Sequence, residues 1–500
     1  MKKILSVIFA SVMLAACFAS CGKTEVTTAP SGDSTGAVTE PAGLPSSEEV
    51  AALGYAGDFN MLLSGNYVCN DFDSKGFEDL PEPTLVQTAI YERNEALKSD
   101  YGINVTVEDT MKFGSTNGSG TGFQKLYTEY MSGTSVYDAA AIGTYDVATL
   151  AYSGLLWDFN KLPHIQLQND YWDQKANSDL AVMGKLYFTS GDIGIVNNKV
   201  THAILFNKDM VEEYGMEDPY ALVKSNNWTW EKLTELVKQV GEDKDQNGVY
   251  DANDLYGLMT WKDPSVAILS SSGEKIAGVN EKGEIEYTLM SERVVDLYDQ
   301  YSDLVYDQAH VFNYQYDNVT GAQAPQNTWD TNRNNIFNDS RALFYLNTVA
   351  TIEKHRDSDV EFGVLPYPKL TTTQEEFGHG VSPYHSQFIC VPLMSKNATR
   401  SGLVLEYLAI KGQEILRPAY YDITLEGKSV RDAASAEMLD IIFSTRVFDL
   451  GAYYNVGKVK DNVGNMTITR QTITNIDAQY SVAAEEMVNT LNEAFAKLKY

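Results

Sequence analysis

Two hydrophobic rhythms alternate along this chain. Short apolar runs at Phe59 to Leu63, Ile103 to Glu108, Asp138 to Ile142, Ala203 to Phe206, Ala342 to Leu346 and Phe362 to Leu365 have the length and composition of β-strands. Between them, apolar residues recur at three- and four-residue spacings, which predicts helices over Thr84 to Asp100 and Gly122 to Ser132 and others starting near Lys208 and at Thr229. Strand and helix in alternation predict an α/β fold built on parallel sheets. The last stretch is mostly helical in pattern, over Lys396 to Leu408, Val430 to Phe443 and Ala478 to Leu498. No internal repeat of the kind that marks a solenoid or propeller is present.

The N-terminus breaks this rhythm. Lys2 and Lys3 precede a largely apolar run of 13 residues, Ile4 to Ala16, too short to remain in a bilayer as a spanning helix. A charged flank and small residues before a cleavage point are the marks of an export signal. Leu14-Ala15-Ala16-Cys17 also resembles the lipobox of bacterial lipoproteins, in which the cysteine is acylated and becomes the first residue of the mature chain. Cys21, after Phe18-Ala19-Ser20, is the alternative anchor, and an ordinary secretory signal is the competing reading. Residues 1–20 are thus the signal region. Residues 22–47, rich in Thr, Ser, Gly, Pro and Ala, read as a flexible tether. No later stretch has 18 consecutive apolar residues, so a soluble body held by lipid outside the cytoplasm is expected. Cys69 and Cys390 are the only cysteines of that body and read as apolar fillers more readily than as a disulfide.

Composition narrows the partners. At 500 residues and 44% hydrophobic, the chain has material for two large lobes or about three domains. With 38 Lys+Arg against 68 Asp+Glu, the formal charge of -30 repels phosphate backbones and makes nucleic acid a poor partner. Aromatic residues reach 11% in this polar chain, which places some of them at a surface or cleft, where flat-faced ligands such as sugars stack.

Three stretches carry a family resemblance. The segment SVYDAAAIGTYDVATLAYSGLLWDFNKL, Ser135 to Leu162, opens a strand at Asp138 and closes its following helix at Ser153-Gly154-Leu155-Leu156. Gly184-Lys185-Leu186-Tyr187 and Leu205-Phe206-Asn207-Lys208-Asp209 come next, then Phe362 to Lys369 with the helix of Ser401-Gly402-Leu403-Val404-Leu405-Glu406. In this order they resemble family 1 extracellular solute-binding proteins, the maltodextrin-binding group. The resemblance implies a periplasmic-binding-protein-like (type II) fold, two α/β lobes joined by a hinge with the ligand between them, and an ABC importer permease as partner. It implies an N-lobe of residues 48–190 with a return over 370–415, and a C-lobe over 203–365. The helical part, 416–500, would belong mainly to the C-lobe.

One loop has metal spacing. Counting Asp243 as position one places Asp245, Asn247, Asp251 and Asp254 at positions 3, 5, 9 and 12, Gly248 at 6 and the Val249 carbonyl at 7. These are the stations of a calcium loop, with Asp where a bidentate Glu is usual at position 12. A structural Ca2+ in the second lobe is expected; a solvated acidic turn is the competing reading.

For the solute, a carbohydrate and in particular an oligosaccharide, candidates lie in loops at strand ends. Thr144, Tyr145 and Asp146 follow the strand from Asp138, although Asp146 is equally suited to capping the next helix. Asp192 follows the polar loop after GKLYF. Asn347 and Thr348 end another strand, at a station where the resembling family often has a stacking aromatic and this chain has none. Tyr384 and Tyr453 complete the set, with His385 and Tyr454 beside them. Trp228 and Trp230 read as structural, Trp228 as a staple onto Leu233 ahead of a helix capped by Thr229. Trp157, Trp172 and Trp329 read as core. An enzyme is the alternative, but HExxH, GxSxG and GxxxxGK[ST] are absent, Gly118 to Gly122 reads as a flexible loop, and the six histidines are scattered. A sensor or adhesin without transport is a third reading.

Overall fold

The computed structural model describes residues 43–316, 324, 326–355, 358–425 and 433–499. The signal region, both candidate anchor cysteines and most of the predicted tether lie outside the described residues, as do residues 430–432 of one predicted helix. The helix Ser47–Ala52 starts inside the predicted tether, closed by a reciprocal cap between Ser46 and Glu49. Leu44 already packs against the core, and the Tyr101 hydroxyl donates to the Pro45 carbonyl at 2.7 Å.

Two sheets organise the body. The first runs in the order Gln387–Cys390, Ala139–Gly143, Gly57–Ser64, Ile103–Asp109. The second runs Phe362–Leu365, His202–Asn207, Ala342–Thr348, Leu255–Thr260, Gly241–Glu242, with Val311–Asn313 also paired to Leu255–Thr260. Both sheets are mixed, which corrects the expectation of parallel pairing throughout. Gly57–Ser64 is parallel to both neighbours because the helices Leu85–Tyr101 and Thr121–Ser132 carry the chain back across the sheet each time. Gln387–Cys390 is antiparallel to Ala139–Gly143, and His202–Asn207 is antiparallel to both its neighbours. These two strands are reached from the other sheet rather than through a crossover helix, so no helix dictates their direction.

Helix boundaries follow their capping residues. Thr84 caps Leu85–Tyr101 with a reciprocal bond to Gln87, and Gly102 ends it in the left-handed conformation (φ 65°). Thr229 caps Trp230–Val237 and Thr472 caps Ile473–Lys497. The central strands Ala139–Gly143, His202–Asn207, Leu255–Thr260 and Ala342–Thr348 are buried along their whole length, as strands covered on both faces are.

The chain passes from the first sheet to the second through residues 191–201. There Asp71 accepts from the Ile195 and Val196 amides at 2.7 and 3.1 Å, and the fully buried Arg93 donates to the Ile193 carbonyl at 2.8 Å. Burial pushes Arg93 down to about 10. Trp228 is fully buried, its indole donating to the Pro366 carbonyl at 2.8 Å and its ring 5.8 Å from Phe344, so it fastens the helix entry to the residue that follows the strand Phe362–Leu365. Trp172 is core, donating to Glu406 at 2.9 Å. Cys69 and Cys390 are free thiols.

Candidate functional site

A cavity of about 1440 Å³ lies between residues that follow strands of the first sheet and residues that follow strands of the second. The first side supplies the loop from Phe113 to Ser119 and the first turns of the helix Thr144–Tyr152. The second supplies Trp261 to Asp263 at the end of Leu255–Thr260, Trp329 and Arg333 on the helix Gln326–Asn338, and Lys354. The return segment Pro383 to His385 and residues 453–465 and 480–487 close the rest. Ligand volumes at the carboxyl ends of facing α/β sheets are where this architecture binds small molecules.

Tyr145, Tyr384 and Tyr453 line this cavity. Lys460 donates to the Tyr145 hydroxyl at 2.8 Å and sits 4.7 Å from its ring centre. Burial pushes the Tyr145 phenol up to about 12 against the pull of that ammonium. Burial also works against the Lys460 charge, but Tyr145 and the Asp461 carboxylate, 2.6 Å away, outweigh it and hold the ammonium above its ordinary range. Tyr453 lines the cavity although almost wholly buried, and its hydroxyl donates to the Val381 carbonyl at 3.2 Å.

The other five candidates are not among the lining residues. Thr144 is buried and bonds to Ser386, which ties the helix start to the strand Gln387–Cys390. Asp146, also fully buried, accepts from the amides of Asn117, Gly118, Gly120 and Phe123 at 2.9–3.3 Å. It caps the neighbouring helix Thr121–Ser132 and its approach loop rather than its own helix. That bonding also corrects the reading of Gly118 to Gly122 as a flexible loop, since a Cβ at Gly120 would stand 1.8 Å from the Ser115 carbonyl oxygen. Asp192 pairs with Arg417 at 3.0 Å beside the crossing, where burial raises its carboxyl to about 6. Asn347 donates to the Tyr345 hydroxyl at 2.5 Å and accepts from the Thr348 amide, so both residues are engaged at the strand end.

Two tryptophans of the cavity wall come from other stretches of the chain. Trp261 follows a strand, Leu255–Thr260, that the apolar run LYGLMT could have signalled. Its ring stacks on Tyr314 at 6.1 Å and lies 6.4 Å from His385. Trp329 stands in the cavity wall rather than the core. Asp263 lines the cavity with no hydrogen bond to its carboxylate among the described residues, and burial raises its pKa. Lys460 carries no local sequence signal at all.

Three of the four aspartates of the 243–254 loop converge. Carboxylate oxygens of Asp243, Asp245 and Asp254 lie within 4.8 Å of one another. Gly248 takes φ 80° at the turn, and Asp251 stands outside this group, accepting from the Asn253 amide at 2.8 Å.

This arrangement, two α/β sheets with a ligand-sized cleft between them, defines a two-lobe solute-binding protein. Residues 96–410 match the profile of the bacterial extracellular solute-binding proteins, and the chain belongs to that family. Solved structures share the fold at low identity. An ABC substrate-binding protein from Listeria monocytogenes in complex with cycloalternan is 14% identical with a TM-score of 0.52, covering 89% of this chain and 100% of its own. The maltose/maltodextrin-binding domain MalE from Bdellovibrio bacteriovorus bound to maltotriose is 13% identical with a TM-score of 0.53, covering 87% and 100%. The ABC transporter associated binding protein from B. animalis subsp. lactis in complex with beta-1,6-galactobiose is 14% identical with a TM-score of 0.53, covering 87% and 98%. No curated protein matches the chain.

Proposed function

We propose that this solute-binding protein captures a carbohydrate, in particular an oligosaccharide, and hands it to an ABC importer permease. The observation that carries this reading is the cleft wall, where Trp261, Trp329, Tyr145, Tyr152, Tyr384 and Tyr480 share a cavity of about 1440 Å³ with unbonded Asp263. Flat aromatic faces stack on the apolar faces of sugar rings, while a carboxylate accepts from hydroxyls that are costly to bury unpaired. The sugars bound by the similar structures support the same class. In the lobe assignment proposed here, 48–190 and 370–415 form one lobe, 203–365 the other, and 416–500 belongs mainly to the latter. The helix Ala433–Ser444 packing on Phe362–Leu365 supports the last part. Acylation at Cys17, or alternatively Cys21, would hold the protein at the outer face of the membrane. Among the described residues no helix is long and apolar enough to cross one.

A structural Ca2+ in the 243–254 loop is also part of this proposal. The donor set fits a hard cation, with Asp243, Asp245, Asn247, the Val249 carbonyl, Asp251 through water, and Asp254 as the ligands. Held by them, the ion would screen the mutual repulsion of these carboxylates and brace the start of the strand Leu255–Thr260, which Trp261 follows.

A thermal-shift screen of the full-length chain against mono- and oligosaccharides, short peptides and polar metabolites tests the function. A ligand at about one hundred times its dissociation constant adds roughly 2.7 kcal/mol to the native state, which raises Tm by a few degrees. A shift confined to sugars, with the sugar recovered intact, is expected. Cleaved sugar would replace capture by catalysis, and a response only to peptides would overturn the carbohydrate reading.

A further inference from the structure

The strand Leu255–Thr260 ends at the cavity wall, and the three residues after it, Trp261, Lys262 and Asp263, all line the cavity. The 313–315 segment fixes their position. Asn313 pairs in register with Thr260, the Tyr314 amide donates to the Thr260 carbonyl at 3.2 Å, and the buried Gln315 side chain accepts from the Lys262 amide at 3.1 Å. The buried Tyr314 ring stacks on Trp261, with centroids 6.1 Å apart and planes 23° from parallel. A flat ring and two charged residues are thus held at one strand end, and such preorganisation reduces what binding must order.

The fold makes no use of the Asp263 carboxylate. Asp263 precedes the helix Pro264–Ser271, at the position where aspartate ordinarily caps the first turn. Here it takes helical backbone angles (φ −66°, ψ −34°) and its side chain caps nothing. The first turn needs no such cap. Pro264 has no N–H, the Ser265 amide donates to the Lys262 carbonyl at 3.1 Å, and the Val266 and Ala267 amides donate to the Asp263 carbonyl at 3.0 and 3.2 Å. The carboxylate of Asp263 and the ammonium of Lys262 make no hydrogen bond or ion pair among the described residues. The other aspartate of the cavity wall is engaged, because Asp461 accepts from Lys460 at 2.6 Å and from Asn455 at 3.0 Å. A half-buried carboxylate without donors is unfavourable, and a solute that supplies them relieves the penalty.

We infer that Asp263 selects the solute: its two carboxylate oxygens accept from two adjacent hydroxyls on one edge of a sugar ring stacked at Trp261, and Lys262 donates to one of those hydroxyl oxygens. The captured carbohydrate therefore carries a ring with an unsubstituted, uncharged vicinal diol. This rests on the carbohydrate reading and narrows it. A ring deoxygenated or acylated at that edge leaves Asp263 short of a donor, and a carboxylated one is repelled by it.

Isothermal titration of the full-length protein tests the inference, with neutral malto-, galacto-, xylo- and manno-oligosaccharides, uronate-containing oligosaccharides, and monodeoxy analogues of the tightest binder. Wild type is expected to bind a neutral sugar most tightly and to lose about tenfold or more when either hydroxyl of one adjacent pair is removed. Asp263→Asn should bind the parent sugar about tenfold more weakly and lose little further on those same deoxygenations, because the hydroxyls have already lost their acceptor. Its ligand-free Tm should not fall, since the helix start does not use the carboxylate. A neutral sugar bound equally well by Asp263→Asn overturns the inference and leaves the carbohydrate reading standing. Deoxygenation losses that persist in full in Asp263→Asn overturn it too, as does an acidic sugar that binds more tightly than every neutral one. A Tm that falls in Asp263→Asn together with binding marks the carboxylate as structural and overturns its selecting role. Silence from every sugar overturns both readings.

Discussion

Asp146 holds one wall of the cleft in shape without facing the cavity. Four backbone amides of the 117–123 segment converge on its carboxylate inside the protein, where an amide left without an acceptor costs about 1–3 kcal/mol. Asp146→Ala is therefore expected to lower the unfolding free energy by about 2–4 kcal/mol in urea melts and to weaken solute binding as the loop loses its anchor. His379 makes a second residue-scale prediction. It is fully buried, accepts from the Tyr367 amide at 3.0 Å, and burial, helped by His202, pushes its imidazole down to about 3. The unfolded chain titrates near 6.5 and so takes up a proton that the folded one refuses between about pH 6.5 and pH 3. Stability then falls as pH drops through that window. The advantage of wild type over His379→Gln in unfolding free energy should shrink by about 2 kcal/mol from pH 7 to pH 5. An unchanged difference would mean that the folded imidazole carries charge.

At the scale of elements, two segments do work that their composition does not announce. The helix Gln326–Asn338 is polar along much of its length, yet Trp329 and Arg333, one turn apart, face the cavity. Trp329→Ala should weaken solute binding about ten- to a hundredfold with little change in Tm. An equal loss of stability would instead mark Trp329 as a packing residue. The acidic loop between the helix Trp230–Val237 and the strand Leu255–Thr260 is the second such segment. If it holds Ca2+, EGTA should lower Tm by several degrees, magnesium should not restore it, and Asp245→Ala should abolish the difference. A Tm indifferent to EGTA would leave the loop as a hydrogen-bonded acidic turn.

The whole molecule is an α/β body whose chain visits the first sheet, passes to the second, and returns to add Gln387–Cys390 as an antiparallel edge. The cleft therefore draws on at least five separate stretches of sequence. At this scale the membrane anchor is tested by fractionation: Cys17→Ala should move the protein from the membrane to the soluble fraction, while Cys21→Ala should not. The reverse pattern would transfer the anchor to Cys21.

The sequence by itself determined the class of fold and the family, because strand and helix periodicity are local and the resembling segments keep their order along the chain. Caps at Thr84 and Thr229 set helix starts within a residue of those expected, since a cap satisfies amides of its own first turn, whereas the cap at Thr472 starts the last helix at Ile473, ahead of the expected Ala478. The spacing of the aspartates from Asp243 to Asp254 likewise placed three of them around one point. Tertiary structure alone decided which side chains meet the cleft. Strand ends were the right places to look, and Tyr145 and Tyr384 reach the cavity, but at Thr144, Asp146 and Asn347 the side chain turns to a partner inside the protein. Trp261, Arg333, Lys354 and Lys460 gather from stretches far apart in sequence, so no local pattern could assemble them. The direction of the two antiparallel strands was equally hidden, because it follows from the route of the crossing segments rather than from the residues of the strands.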